Sequence, residues 1–238
     1  MRGEAVILFD IDGTLVDTDG AGRRSLDRVL AEMFGPGAPL ASRDLAGQTD
    51  RAILRAALAD RGCGDGSFER RFPEFFERYT RALVEELGRQ GPQSNPPAGR
   101  VLPGVREALA ALAERDSVHL GLLTGNVRAG AKAKLEAFGL WERFAFGGFG
   151  DDAEHRPDLL PVALARASAR AGRALPAACA VVVGDTPHDV AVARAHGARA
   201  VAVATGRGYD LAALAKCEPD ALFADITDTA AFLAACGL

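Results

Sequence analysis

The chain opens on a run without polar interruption, Ala5-Val6-Ile7-Leu8-Phe9, that ends in Asp10-Ile11-Asp12-Gly13-Thr14. Apolar side chains at consecutive positions suit a strand covered on both faces, which is the signature of a parallel sheet rather than of a half-solvated antiparallel one. The carboxyl ends of such strands are where α/β sheets bind ligands. Two acids two residues apart at that place are able to crowd one cation and one reacting group, whereas Asp-Gly by itself also makes an ordinary turn.

The same arrangement returns further along. Ala180-Val181-Val182-Val183 runs into Gly184-Asp185-Thr186-Pro187-His188-Asp189, and Val118-His119-Leu120-Gly121-Leu122-Leu123 runs into Thr124-Gly125-Asn126. From Arg100 onward, helical and strand patterns alternate. Helices are expected at 104–115, 128–138, 157–171 and 189–196, strands at 118–123, 180–183 and 200–204, and a last strand and helix at 221–224 and 227–235. This alternation implies right-handed crossovers and a parallel sheet. Between Asp17 and Gly99 the pattern is different. Helical spacing is read at 23–34, with Leu26, Val29, Leu30 and Met33 on one face, then at 50–61, 68–77 and 79–89, with little strand character among them. A Gly-rich stretch, Asp17 to Gly22, precedes these helices, and a Pro-rich linker, Gly91 to Gly99, comes after them.

In this order the motifs resemble those of the haloacid dehalogenase-like superfamily, and within it the phosphoglycolate-phosphatase-like branch. Asp10 to Thr14 match its first motif, Thr124 the second, and Asp185 with Asp189 the fourth. The resemblance implies an α/β fold: a Rossmann-like parallel-sheet core of residues 1–16 and 100–238, with an inserted all-helical cap at 17–99. It also implies a phosphatase acting on a small phosphorylated metabolite through an aspartyl-phosphate. Asp10 is then the nucleophile and Asp12 the acid and base. Mg²⁺ would be held by Asp10, the Asp12 carbonyl and Asp185, with Asp189 as a ligand through water or an anchor. Thr124, Gly125 and Asn126 would hold phosphate oxygens. The third motif is a basic residue that is usually Lys; here Arg156, with Pro157 next to it, takes the role, and Lys134 is the alternative. Gln48, Thr49 and Arg51 of the insert are the expected substrate contacts, although Thr49 equally suits a helix cap. His155 and His188 are read as solvated loop residues.

Rival functions are separated by single positions. A dehalogenase lacks the second acid that Asp12 supplies, and a phosphonate hydrolase needs a cap Lys where none precedes Lys132. A phosphosugar mutase shares the acid pair but adds a His and a Gly-x-Ser-Arg motif, where this chain has Gly22 and Asp50, with Arg51 one residue off. A non-catalytic, phospho-accepting or metal-binding regulatory module remains the rival from a different class. The net charge of -4 gives no broad basic field for nucleic acid, and no apolar run approaches the length of a membrane span. Four scattered cysteines, with Met1 to Glu4 leading straight into the first strand, point to reduced thiols and a cytoplasmic location.

Overall fold

The computed structural model describes residues 4–37, 39–40, 45–62, 67–90 and 99–238. Strand β1 (Ala5–Phe9) is buried along its whole length, as its uninterrupted apolar composition requires. Its side chains alternate between two cores. Ile7 and Phe9 join Leu109, Leu135 and Phe232 on one face, and Val6 and Leu8 join Leu160, Ala163 and Val190 on the other.

A two-residue strand β2 (Val16–Asp17) then leads into three helices: α1 (Ala21–Phe34), α2 (Asp50–Ala59) and α3 (Phe72–Gln90). These bury a third core, with Leu26 and Leu30 against Leu54, Leu58, Phe75, Tyr79 and Leu83. At about 1.5–3 kcal/mol for each large side chain removed from water, this stripe is a sufficient reason for the helices to pack as a unit. The chain returns through β3 (Arg100–Val101), which pairs antiparallel with β2 at Val16↔Val101 and Asp17↔Arg100.

The remainder alternates as the sequence predicts. Helix α4 (Val105–Ala113) leads to β4 (Val118–Leu123), α5 (Arg128–Ala137), β5 (Phe146–Gly148) and α6 (Leu159–Ala171). Then come β6 (Ala180–Gly184), α7 (Pro187–His196), β7 (Arg199–Val203), α8 (Leu211–Ala215), β8 (Ala221–Phe223) and α9 (Thr229–Ala235). Six strands form one sheet in the order β5-β4-β1-β6-β7-β8, and every pairing in it is parallel. The chain winds outward from β1 to β4 and β5, then crosses back to β6 on the other side. The switch point at which such sheets bind ligands therefore lies at β1.

Several local expectations change. The helices read at 68–77 and 79–89 form one helix, α3, preceded by a 3-10 turn at Ser67–Arg71, because no Gly or Pro interrupts residues 74–90 except Gly88 near the end. Glu74 and Arg78 pair across the supposed break at 2.8 Å. Strand β5 was hidden by its composition, since Gly is a poor strand former. A Cβ on Gly148 would lie 2.4 Å from the Leu159 carbonyl oxygen, so packing sets the residue there. Thr14 donates its hydroxyl to Asp185 Oδ1 at 3.1 Å, tying the first motif to the fourth. The linker read at 91–99 lies outside the described residues except for Gly99, as does Cys63. No described helix is long and apolar enough to cross a membrane.

Candidate active site

The carboxyl ends of β1, β4 and β6 deliver the three motifs to one place. Asp10 is tied to the neighbouring strand by its backbone N–H, which donates to the Val183 carbonyl at 2.9 Å. Oxygens of Asp10, Asp185 and Asp189 lie within 4.8 Å of one another, and all three residues are buried. The crowding is made possible by glycines. A Cβ on Gly13, whose φ is +79°, would lie 2.3 Å from Asp185 Oδ2, and one on Gly184 would lie 2.0 Å from Asp189 Cγ.

Burial and mutual repulsion act together on these acids. Burial lifts the Asp10 carboxyl to about 6, with Arg156 opposing the rise and the charges of Asp189 and Asp12 adding to it. Burial, then Asp10 and Asp189, holds the Asp185 carboxyl well above its ordinary value.

Arg156 answers that charge. It stands in a 3-10 turn, Arg156–Asp158, just before α6. Its Nη2 lies 2.9 Å from Asp10 Oδ2 and donates to Asp189 Oδ1 at 2.6 Å. Although burial disfavours the charge, Asp10 and Asp189 keep the guanidinium firmly protonated. Its buried Nε has no hydrogen-bond partner among the described residues. Asp189 is also part of a capping box: its Oδ2 accepts from the Thr186 N–H at 3.1 Å and from the Thr186 hydroxyl at 2.7 Å. Asp189 thus gives one oxygen to Arg156 and the other to the cap of its own helix.

Asp12 sits to the side, in a second polar cluster. Its Oδ2 accepts from Lys134 Nζ at 2.5 Å and from Asn126 Nδ2 at 2.9 Å, while Lys134 also donates to Asn126 Oδ1 at 2.6 Å. Lys134 is only 4% exposed, so it is not the solvated helix residue that its type suggests. Thr124 is fully buried, and its hydroxyl oxygen accepts from the Asn126 side chain at 2.9 Å.

A cavity of about 480 Å³ opens over both clusters. Asp10, Asp12, Gly125, Asn126, Arg156 and Asp185 line it from the sheet side, and Gln48 and Asp50 from the helical insert. The other residues expected from the insert go elsewhere. Thr49 caps α2 by accepting from the Ala52 N–H at 3.1 Å and donates to the Glu154 carbonyl at 2.6 Å. Arg51 lies over the Phe72 ring, 5.2 Å from its centroid, and lines a larger cavity of about 960 Å³ along α3. None of Asp10, Asp12, Asp185 and Arg156 borders that larger cavity, so it stands apart from the chemistry. His155 and His188 are exposed, as the sequence suggests, but His188 belongs to the first turn of α7 rather than to a loop.

Sequence reasoning passed over Asp50 and undervalued Lys134. Each had a visible signal. Lys134 falls in the buried stripe Gly130, Ala131, Lys134, Leu135 of α5, and Asp50 heads the stripe Asp50, Ile53, Leu54, Ala57, Leu58 of α2. A charged residue in the apolar register of a helix is one that the fold has chosen to bury.

Buried acids held by an arginine at the switch point of a parallel sheet are the equipment of an α/β enzyme that handles anions beside a cation. The chain belongs to the haloacid dehalogenase-like hydrolases, whose family model matches residues 7–194. It is 31% identical to the probable phosphatase IndB of Dickeya dadantii over 84% of this chain and 81% of that one. It is 32% identical to the phosphoglycolate phosphatase of Rhodospirillum rubrum over 84% and 79%. Among solved structures, a hydrolase from Pseudomonas syringae superposes with a TM-score of 0.70 at 23% identity, covering 97% of each chain. A predicted phosphoglycolate phosphatase from Haemophilus somnus does so with a TM-score of 0.66 at 20% identity, covering 98% and 99%.

Proposed function

We propose that the protein is a Mg²⁺-dependent phosphatase that hydrolyses a small phosphate monoester through an aspartyl-phosphate on Asp10. Residues 1–16 and 100–238 serve as its catalytic core and 17–99 as its cap, and the cytoplasm is its place of action, a reading supported by the unbridged Cys179, Cys217 and Cys236. The observation that carries the reading is the meeting of Asp10, Asp185 and Asp189 within 4.8 Å beside the Arg156 guanidinium.

The donor set fits the metal. Carboxylates whose protons are held by mutual repulsion release them when a divalent cation arrives, and an all-oxygen set suits Mg²⁺. Asp10, Asp185 and the Asp12 carbonyl would hold it. Asp189, already committed to Arg156 and Thr186, would anchor the shell rather than ligate directly. When bound, the ion neutralises charge on the acids and on the phosphoryl group.

In the first step Asp10 attacks phosphorus, forming the acyl-phosphate bond as the ester P–O bond breaks. The departing alcohol oxygen takes a proton from Asp12. Lys134 and Asn126 hold Asp12 by Oδ2, and among the described residues Oδ1 has no partner, so Oδ1 is the oxygen that exchanges the proton. In the second step water attacks phosphorus, passes a proton to Asp12, and frees Asp10 and inorganic phosphate. Arg156, with a buried Nε still to be satisfied, neutralises the transferring group. Thr124, Gly125 and Asn126 receive phosphate oxygens, and Gln48 faces the leaving group from the cap.

Phosphate release from a panel of phosphorylated metabolites at fixed Mg²⁺, beginning with 2-phosphoglycolate because relatives carry that name, tests the proposal. Turnover that requires the metal and is lost in Asp10→Asn supports it. Interconversion of phosphosugar isomers without free phosphate would transfer the chain to the mutases, and no turnover with any metal would favour a regulatory module.

A further inference from the structure

We infer that Asp50, a residue of the helical insert, is a positioning residue that fixes the Thr124–Val127 loop in the form that accepts phosphate. The inference rests on the phosphatase reading. Asp50 grips that loop twice. Its backbone N–H donates to the Gly125 carbonyl at 2.7 Å, and its Oδ2 accepts from the Val127 N–H at 2.8 Å. On the opposite side, the Asn126 carbonyl accepts from the Gly150 N–H at 2.8 Å, so the loop is clasped between the insert and the turn after β5. The approach is close. A Cβ on Gly125 would lie 2.1 Å from the Gln48 carbonyl oxygen.

Helix α2 has no need of this carboxylate as a cap, because Thr49 already performs that task. The carboxylate is kept at a cost: it is 6% exposed, and burial lifts its carboxyl to about 6 despite the charge of Lys134 and the bond from the Val127 N–H, with Asp12 and Asp151 adding to the rise. An acid retained at such a cost, with its oxygen on a backbone N–H of the loop that bears Thr124, has the geometry of a device that completes the phosphate site only when the insert is seated.

Binding of inorganic phosphate in the presence of Mg²⁺, measured by calorimetry on the full chain, is read together with amide hydrogen exchange across residues 124–128. Asp50→Ala is expected to weaken phosphate about tenfold and to speed exchange at Val127, while β1 and β6 keep their protection. Asp50→Asn, which keeps an oxygen acceptor for Val127, is expected to stay within about threefold of the wild type. The inference is overturned if Asp50→Ala leaves phosphate affinity and Val127 exchange unchanged, or if Asp50→Asn is as damaged as Asp50→Ala. Should Asp50→Ala fail to fold, Val127→Pro, which removes the N–H that Asp50 accepts at a φ of −60° that proline tolerates, is expected to give the same weakening, and unaltered affinity there overturns the inference as well. The phosphatase reading itself stands or falls on metal-dependent turnover; if the wild-type protein binds no phosphate, Val127 exchange alone decides whether Asp50 holds the loop.

Discussion

Arg156 and Lys134 are both cations sunk among carboxylates, yet they are built from different parts of the molecule. Arg156 joins Asp10, at the end of β1, to Asp189, in the first turn of α7, and touches the insert only weakly, through the Gly47 carbonyl at 3.3 Å. Lys134 joins Asp12 to Asn126, and its charge also acts on Asp50 of the insert. A guanidinium is a rigid fork that fixes carboxylates in place, whereas an ammonium on a flexible stem is a point charge that tolerates rearrangement. The side of the site that bears Asp10 is therefore organised by the sheet and α7. The side that bears Asp12, the proposed acid and base, is shared with the helices of the insert.

The first way to break that contrast is at Asp10, the proposed nucleophile. Asp10→Asn is expected to lower turnover of para-nitrophenyl phosphate about 10⁴-fold while the fold is kept, since a group acting covalently has no substitute; residual activity within tenfold of wild type would remove Asp10 from the reaction. Next in size is Arg156→Met, for which a loss of about 10²–10³-fold is expected, together with a fall in stability of about 3 kcal/mol from acids left buried without their counter-charge, as measured by urea denaturation. Lys134→Met should cost only about tenfold in turnover. If it proved the more damaging of the two, the third-motif role would pass from Arg156 to Lys134.

The smallest effect concerns acidity. A carboxyl lifted to about 6 by burial, as in Asp10 and Asp50, keeps its proton in the folded chain after the unfolded chain has released it. Its support for folding is complete below about pH 4 and is lost as pH rises through about 6. Metal-free protein should thus gain a few degrees of melting temperature between pH 7 and pH 5. In Asp50→Asn that gain should shrink, and an unchanged slope would mean that Asp50 does not titrate in this window.

How far the sequence reaches depends on what each residue answers to. Ala5–Phe9 was legible because a strand buried on both faces tolerates nothing but apolar side chains, and the acids behind it because the carboxyl end of such a strand is where polar chemistry can reach a ligand. The meeting of Asp10 with Asp185 came from placing β6 beside β1, where the two strands pair from Val6↔Ala180 to Phe9↔Val183. The residues of the helical insert were hardest. Thr49, the extended N-cap of α2, and Asp50 and Arg51 of its first turn point in different directions, toward the Glu154 carbonyl, the Val127 N–H and the Phe72 ring. Which of them meets the cavity is decided by how α2 lies on the loop after β4, a long-range fact that no local pattern contains. Strand β5 escaped for the opposite reason, since Gly147 and Gly148 were placed by what packs on them.

The pairing of β2 with β3 has a further consequence. The polypeptide leaves the sheet at Asp17 and comes back at Arg100 in adjacent strands, about 5 Å apart. Along the backbone, whatever lies between those two points enters and leaves through this one clasp, and its other ties to the rest of the chain are contacts such as those of Thr49 and Asp50. Its size and sequence are free to drift over evolutionary time without unlacing the six strands below, so appetite for one ester or another is able to change while the machinery for breaking the bond is inherited intact.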